Sequence, residues 1–126
     1  MKSKVYFTKE ISSEAVLKLY KFINYKLEGN VAVKVHSGEP GNQNFLRPNF
    51  WKDVIKEVNG TVVECNTAYA GKRNTTKAHL ETFKEHGWNA FRVDLLDKEG
   101  PDLVLDIPQG KVIKSNYVCK DIVNYD

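Results

Sequence analysis

The chain has 126 residues, of which 41% are hydrophobic, 11% aromatic and 28% charged. That is one domain's length, and the composition excludes disordered, collagen-like and low-complexity classes. Nineteen basic against sixteen acidic residues leave a net charge of +3. The six lysines within residues 1–26 fall at helical spacings among apolar residues. They read as a solvated helix face, not a nucleic-acid surface. No apolar stretch approaches the ~18–20 residues of a membrane span, so no membrane partner is expected. Val5-Tyr6-Phe7 is the only apolar run near the start, where a secretory signal needs about 7–15 residues. Cys65 and Cys119 stand far apart with no CxxC spacing. They suggest neither a zinc ribbon nor a disulfide scaffold, and reduced thiols in the cytoplasm are the default, with a single disulfide left open.

Residues 4–8 read as a short strand. Ser12 or Ser13 then caps a helix with Glu14 in its first turn, where the dipole favours a carboxylate. Val16, Tyr20, Ile23 and Leu27, joined by Leu19, form one apolar stripe, and Gly29 stops the helix. Residues 31–36 form the next strand, with Val31, Val33 and Val35 on one face and Ala32, Lys34 and His36 on the other. A polar loop runs over residues 37–47. Pro48 suits a helix's first turn; Phe50, Trp51, Val54, Ile55 and Val58 are its apolar side, and Asn59-Gly60 ends it.

Residues 61–65 are β-branched and read as a strand. A second polar loop covers residues 66–74, and Thr75 or Thr76 caps a third helix that ends at Gly87, with Leu80 and Phe83 as its thin stripe. Residues 90–95 alternate as a strand, and Gly100-Pro101 is a turn. Residues 102–107 and 111–113, around Pro108-Gln109-Gly110, read as a hairpin. Val118, Ile122 and Tyr125 suggest a last helical turn or two. The alternation implies a single α/β domain over residues 1–126: a mostly parallel, Rossmann-like sheet flanked by helices, with a C-terminal β-hairpin and a short helix. A helix at the very end would normally lead into another strand, so the chain reads as the front part of a longer domain.

In parallel sheets, ligands bind outside the carboxyl ends of the strands. Two loops leave such ends, and both exceed the usual ~2–6 residues. The first offers His36, Ser37, Glu39, Gly41 and Asn42; the second offers Asn66, Thr67, Lys72, Arg73 and Thr76. If their strands are neighbours, the loops share one crevice. Lys34 and Glu64 lie within strands, and a buried charge needs a partner. A Lys34–Glu64 pair at the crevice floor is therefore expected. Lys72 and Arg73 before a capped helix suit a phosphate or carboxylate. Lys34, His36 and Glu64 are the candidates for proton transfer, and the remaining loop residues are candidates for binding the anion.

Other chemistries find little support. Gly71-Lys72 is followed by Arg73, so there is no Walker A motif, and Gly38 and Gly41 do not make a dinucleotide fingerprint. Ser37 is in no nucleophile elbow. No ligand spacing supports a metal at His36 and His79 with Glu39 or Glu64. His86, near a helix end, reads as structural, and Cys65 as a small buried hydrophobe.

The run from Val31 to Asn42 (VAVKVHSGEPGN) and the run from Val63 to Thr76 (VECNTAYAGKRNTT) resemble the domain-of-unknown-function 362 family. The likeness covers essentially the whole chain. These are bacterial and archaeal proteins often labelled as iron–sulfur-centre proteins. The resemblance implies a redox setting, and a downstream cysteine-rich segment that carries iron–sulfur clusters. Two cysteines cannot supply the clustered ligands of a four-iron centre, so no cofactor is expected in this chain. The polar signature carries over at Lys34, His36, Ser37, Glu39, Asn42, Glu64, Asn66, Thr67, Lys72, Arg73 and Thr76. A domain that stops early would leave a bare sheet edge, which invites a homodimer.

The reading is thus an anion-binding α/β module of a redox-associated protein. Its rivals are part of an active site completed by a downstream region, and a docking module for an electron-transfer partner.

Overall fold

The computed structural model describes residues 3–100 and 103–126. In chain order it contains α1 (Ser13–Phe22), β1 (Ala32–Lys34), α2 (Pro48–Glu57), β2 (Thr61–Glu64), α3 (Thr76–Glu85), β3 (Val93–Leu95), β4 (Leu103–Asp106) and β5 (Ser115–Val118). Two 3-10 turns, Trp88–Ala90 and Lys120–Asn124, precede β3 and follow β5.

The caps act where their side chains allow. Ser12 Oγ accepts the Ala15 N–H, and Thr75 Oγ1 accepts the Ala78 N–H, each satisfying a donor that a helix start leaves open. Pro48 opens α2, where its missing N–H costs nothing. Ser13 ties the first two helices together, its hydroxyl accepting from the Asp53 N–H at 3.1 Å.

β1, β2 and β3 form a three-stranded parallel sheet in that order, with β2 in the middle. Val33 pairs with Val62, and Val62 with Val93; Lys34 pairs with Val63, and Val63 with Asp94. Paired residues share a face and successive residues alternate. The sheet therefore has one face of Val33, Val62, Val93, Glu64 and Leu95, and another of Lys34, Val63 and Asp94. The first face is the core face. Val35, Val62 and Leu95 cluster there with Ile55 of α2, Phe83 of α3 and Trp88. Each such side chain contributes roughly 1.5–3 kcal/mol by leaving water. β4 and β5 pair as a separate antiparallel ribbon whose Val104, Leu105 and Tyr117 are exposed.

The C-terminal segment is anchored by polar contacts on the second face. Tyr125 donates to Asp94 Oδ2 at 2.9 Å, and the Asp121 N–H bonds the Leu96 carbonyl at 3.1 Å. Lys98 bridges Asp94 and Asp121. The Asn30 N–H donates to Asp126 Oδ2 at 2.8 Å.

The α/β class and its parallel sheet agree with the sequence, but several elements differ. Residues 4–8 form no strand, and Val5 and Phe7 are exposed; an apolar run without a neighbour to pair with gains nothing from extended structure. The first helix ends at Phe22, not Gly29. Asn24 adopts a left-handed φ of 52° just beyond it, a conformation that ends α-helical winding. The buried side of α3 is His79, Thr82 and Phe83, while Leu80 is exposed; the site supplies the partners of His79, and the Thr82 hydroxyl donates to the Ala78 carbonyl of its own helix. The second hairpin strand is Ser115–Val118, later than residues 111–113. The last turn is 3-10. Pro101 and Asp102 lie outside the described residues.

Candidate functional site

β1 and β2 are parallel neighbours, so both of their C-terminal ends open at one edge, and the two loops meet there. Glu64, the last residue of β2, is the centre. Arg73 Nη1 donates to its Oε1 at 2.7 Å. On Oε2 the Ser37 N–H donates at 2.9 Å, and His79 Nε2 lies at 3.2 Å. Ser37, Glu64, Arg73 and His79 are all buried. Burial alone would push the Glu64 carboxyl up. Hydrogen bonds from His79 and Ser37 outweigh it and hold the group at about 2.

A second tier locks the loops. His79 Nδ1 faces Asn66 Oδ1 at 3.3 Å, and the Asn66 amide donates to Thr76 Oγ1 at 3.1 Å. The Asn66 backbone N–H donates to both oxygens of Asp97. The Thr67 N–H bonds the Arg73 carbonyl at 2.9 Å. The Ser37 carbonyl accepts from His86 Nδ1 at 2.8 Å and Trp88 Nε1 at 3.1 Å.

The outer tier faces solvent. Arg73 Nη2 reaches the Glu39 carboxylate and lies 3.4 Å from His36 Nε2. Tyr69 donates to the same Glu39 oxygen at 2.7 Å. Glu39 is 35% exposed, against 2% for Arg73. Hydrogen bonds from Arg73 and then Tyr69 hold the Glu39 carboxyl at about 2. His36 is exposed and also lines a cleft of about 540 Å³ with Lys34, Asn44, Phe45 and Trp51. A hollow of about 580 Å³ between the end of α1 and Glu57 holds none of the loop residues. Chemistry, not size, marks the site.

Glu64 pairs with Arg73, not Lys34. Register decides this: Lys34 is level with Val63 and points to that residue's face, whereas Glu64 points into the core face. Lys34 is exposed and donates to the Val35 carbonyl at 2.7 Å. Arg73 lies in the interior, with Nη1 on Glu64 and Nη2 on Glu39, while its buried Nε has no partner among the described residues. Lys72, Gly41 and Asn42 are exposed; the Asn42 N–H bonds the Glu39 carbonyl at 2.9 Å. Tyr69, Trp88 and Asp97 belong to the network although the sequence reading passed over them. Only the position of Tyr69, inside the second loop, could have flagged it.

The Ser37, His79 and Glu64 constellation is not a nucleophilic triad. Ser37 Oγ and Glu64 both meet His79 at Nε2, while a triad needs the acid on the opposite nitrogen. Among the described residues no group of three or more His, Cys, Asp or Glu side chains is placed to hold a metal. Two cysteines do not fit a four-iron cluster, which takes four thiolates. No helix of the described residues is long and apolar enough to cross a membrane.

A three-stranded parallel sheet with two interlocked loops at its C-terminal edge defines a small α/β module. The chain belongs to the family described as Domain of unknown function (DUF362), whose model matches residues 31–126. That match contains both loops and every residue of the network. No curated protein and no solved structure matches the chain.

Proposed function

We propose that the chain is a ligand-binding module whose guest is a small anion bearing a phosphate or carboxylate group, bound at the rim formed by His36, Tyr69, Lys72 and Arg73. One observation carries this reading: the rim already holds a carboxylate. Glu39, on a loop and partly exposed, is gripped by Arg73 and Tyr69 beside His36. Donors fixed by a buried scaffold bind an incoming anion without paying their own ordering entropy. An external anion would take the place of Glu39 or share its donors, and the adjoining cleft has the volume of a small-molecule site.

The buried tier then serves as support. Ser37, Glu64, Asn66, Thr67 and Thr76 fix the loops, and Gly41 and Asn42 shape the turn after Glu39. Of the three groups proposed for proton transfer, His36 is both exposed and at the rim; Glu64 is sealed in, and Lys34 lies on the cleft side. The redox setting rests on the family resemblance alone.

The test is a set of thermal melts with inorganic phosphate, citrate and nucleotides, using the wild type, Lys72→Ala, Tyr69→Phe and Glu39→Gln. A ligand that binds only the folded state stabilises it by about 2.7 kcal/mol at a hundred times its Kd. At least one of these anions should raise the wild-type melting temperature. The rise should shrink in Lys72→Ala and Tyr69→Phe. It should grow in Glu39→Gln, measured from that variant's own baseline, because the internal competitor has lost its charge. Equal shifts in all four proteins would refute the reading.

A further inference from the structure

Cys65 follows β2 directly, on the same side of the strand as Val63, and so belongs to the face opposite α2 and α3. Cys119 begins the C-terminal segment that is anchored across that face. The two Sγ atoms are 2.9 Å apart although 54 positions separate them in sequence, and both residues are half-buried. A disulfide needs ~2.05 Å and Cα atoms within ~7 Å, so only a small approach is required. From this juxtaposition we infer that Cys65 and Cys119 are a reversible dithiol–disulfide couple, which in its oxidised form fastens the C-terminal segment to the sheet. The inference is independent of the anion reading.

The oxidant is a low-molecular-weight disulfide. One protein thiol, as thiolate, attacks it and releases one small thiol, leaving a mixed disulfide. The other protein thiolate then displaces the second small thiol and closes the internal bond. Two electrons pass to the small disulfide, which departs as two thiols with the two protons. Burial first, then the neighbouring Cys119 and Asp97, push the Cys65 thiol up to about 12, with Lys34 opposing. A raised thiol is a poor attacking group at neutral pH, so equilibration must be followed until it is constant.

The position of Cys65 gives the couple its reach. It lies between Glu64 and Asn66, both members of the loop network. The segment it would secure contacts Asp94, Leu96 and Asn30, hence β3, its following turn and the approach to β1.

The experiment equilibrates the full chain with mixtures of reduced and oxidised glutathione, traps free thiols with N-ethylmaleimide, and maps the products by non-reducing mass spectrometry. The expected product is a monomer lighter by two hydrogens, with a Cys65–Cys119 crosslink that a dithiol reductant reverses. Its melting temperature should exceed that of the reduced chain. The equilibrium constant for closing the bond should be greater in the native chain than in urea, by about 10-fold, since the fold holds the thiols together. Cys119→Ser should give a glutathione adduct at Cys65 with no lighter form. Separate glutathione adducts on both cysteines, crosslinks only between two chains, or a native-to-urea ratio of one or less would each overturn the inference.

Discussion

Arg73 Nη1 and Glu64 Oε1 are 2.7 Å apart in the interior, joining a loop to the middle strand across nine positions of sequence. Both groups have lost water, and their attraction offsets that loss only while both are present. Removing Arg73 strips Oε1 of its charged partner and leaves the buried carboxylate with only the Ser37 N–H and His79 on Oε2. Arg73→Ala should therefore lower the unfolding free energy by roughly 3–5 kcal/mol. Urea melts read this directly. Adding Glu64→Gln should recover part of the loss, and a cost of under about 1 kcal/mol in the single variant would mean that solvent reaches the pair.

Acid should undo the same centre. Glu64 titrates at about 2 in the fold against 4.5 ordinarily. A carboxyl whose folded pKa is depressed contributes stability above its unfolded value, and that contribution drains away as pH falls through the folded one. The difference is on the order of 3 kcal/mol, lost between pH 4.5 and about 2. Urea midpoints across this range should fall steeply in the wild type. They should fall less in Glu64→Gln, which starts lower but has no such proton to bind.

Gly38 has φ +91°, and a Cβ placed on it would come within 2.6 Å of the Phe45 ring and 3.0 Å of His86 Nδ1. Phe45 stacks on His86 at 4.3 Å, so the ring has little freedom to retreat. Gly38→Ala should cost about 1–3 kcal/mol from backbone strain and crowding together. The histidine ring resonances of His86 should shift in the same variant, since its neighbour must move. An unchanged melting curve would count against this tight packing.

Thr75 caps α3, the helix that carries His79 into the network. Thr75→Ala should cost about 1 kcal/mol through the open Ala78 N–H. Ser12→Ala at the head of α1 should cost a similar amount, yet only the Thr75 variant should disturb anion binding, because α1 contributes nothing to the loops. Thermal melts with and without phosphate separate the two.

Much of the sheet was legible because valine alternation marks a strand and its inward side. Val31, Val33 and Val35 did so for β1, whereas β2 was marked by its β-branched run Thr61, Val62 and Val63. The meeting of the loops followed as well, since parallel neighbours end on the same edge. Which cation would reach Glu64 was not legible. Lys34 is nearer in the reading of strands, but pairing register set it on the opposite face. Arg73 looked like a surface ligand because arginines usually are exposed; its burial depends on two carboxylates arriving from different segments. Thr82 was hidden for a related reason: a helix side made of polar groups gives no hydrophobic period to detect, although His79 on that side already stood beside His36 as a candidate ligand.

Among the described residues, β4 and β5 pair in a sheet only with each other, and they show much of their apolar surface to water. Two strands alone are marginal in stability. Amide protons at positions 103–118 should then trade with deuterated solvent well before those of 61–64, which lie under both helices. The molecule would thus keep two tempos, a quick outer arm and a slow heart.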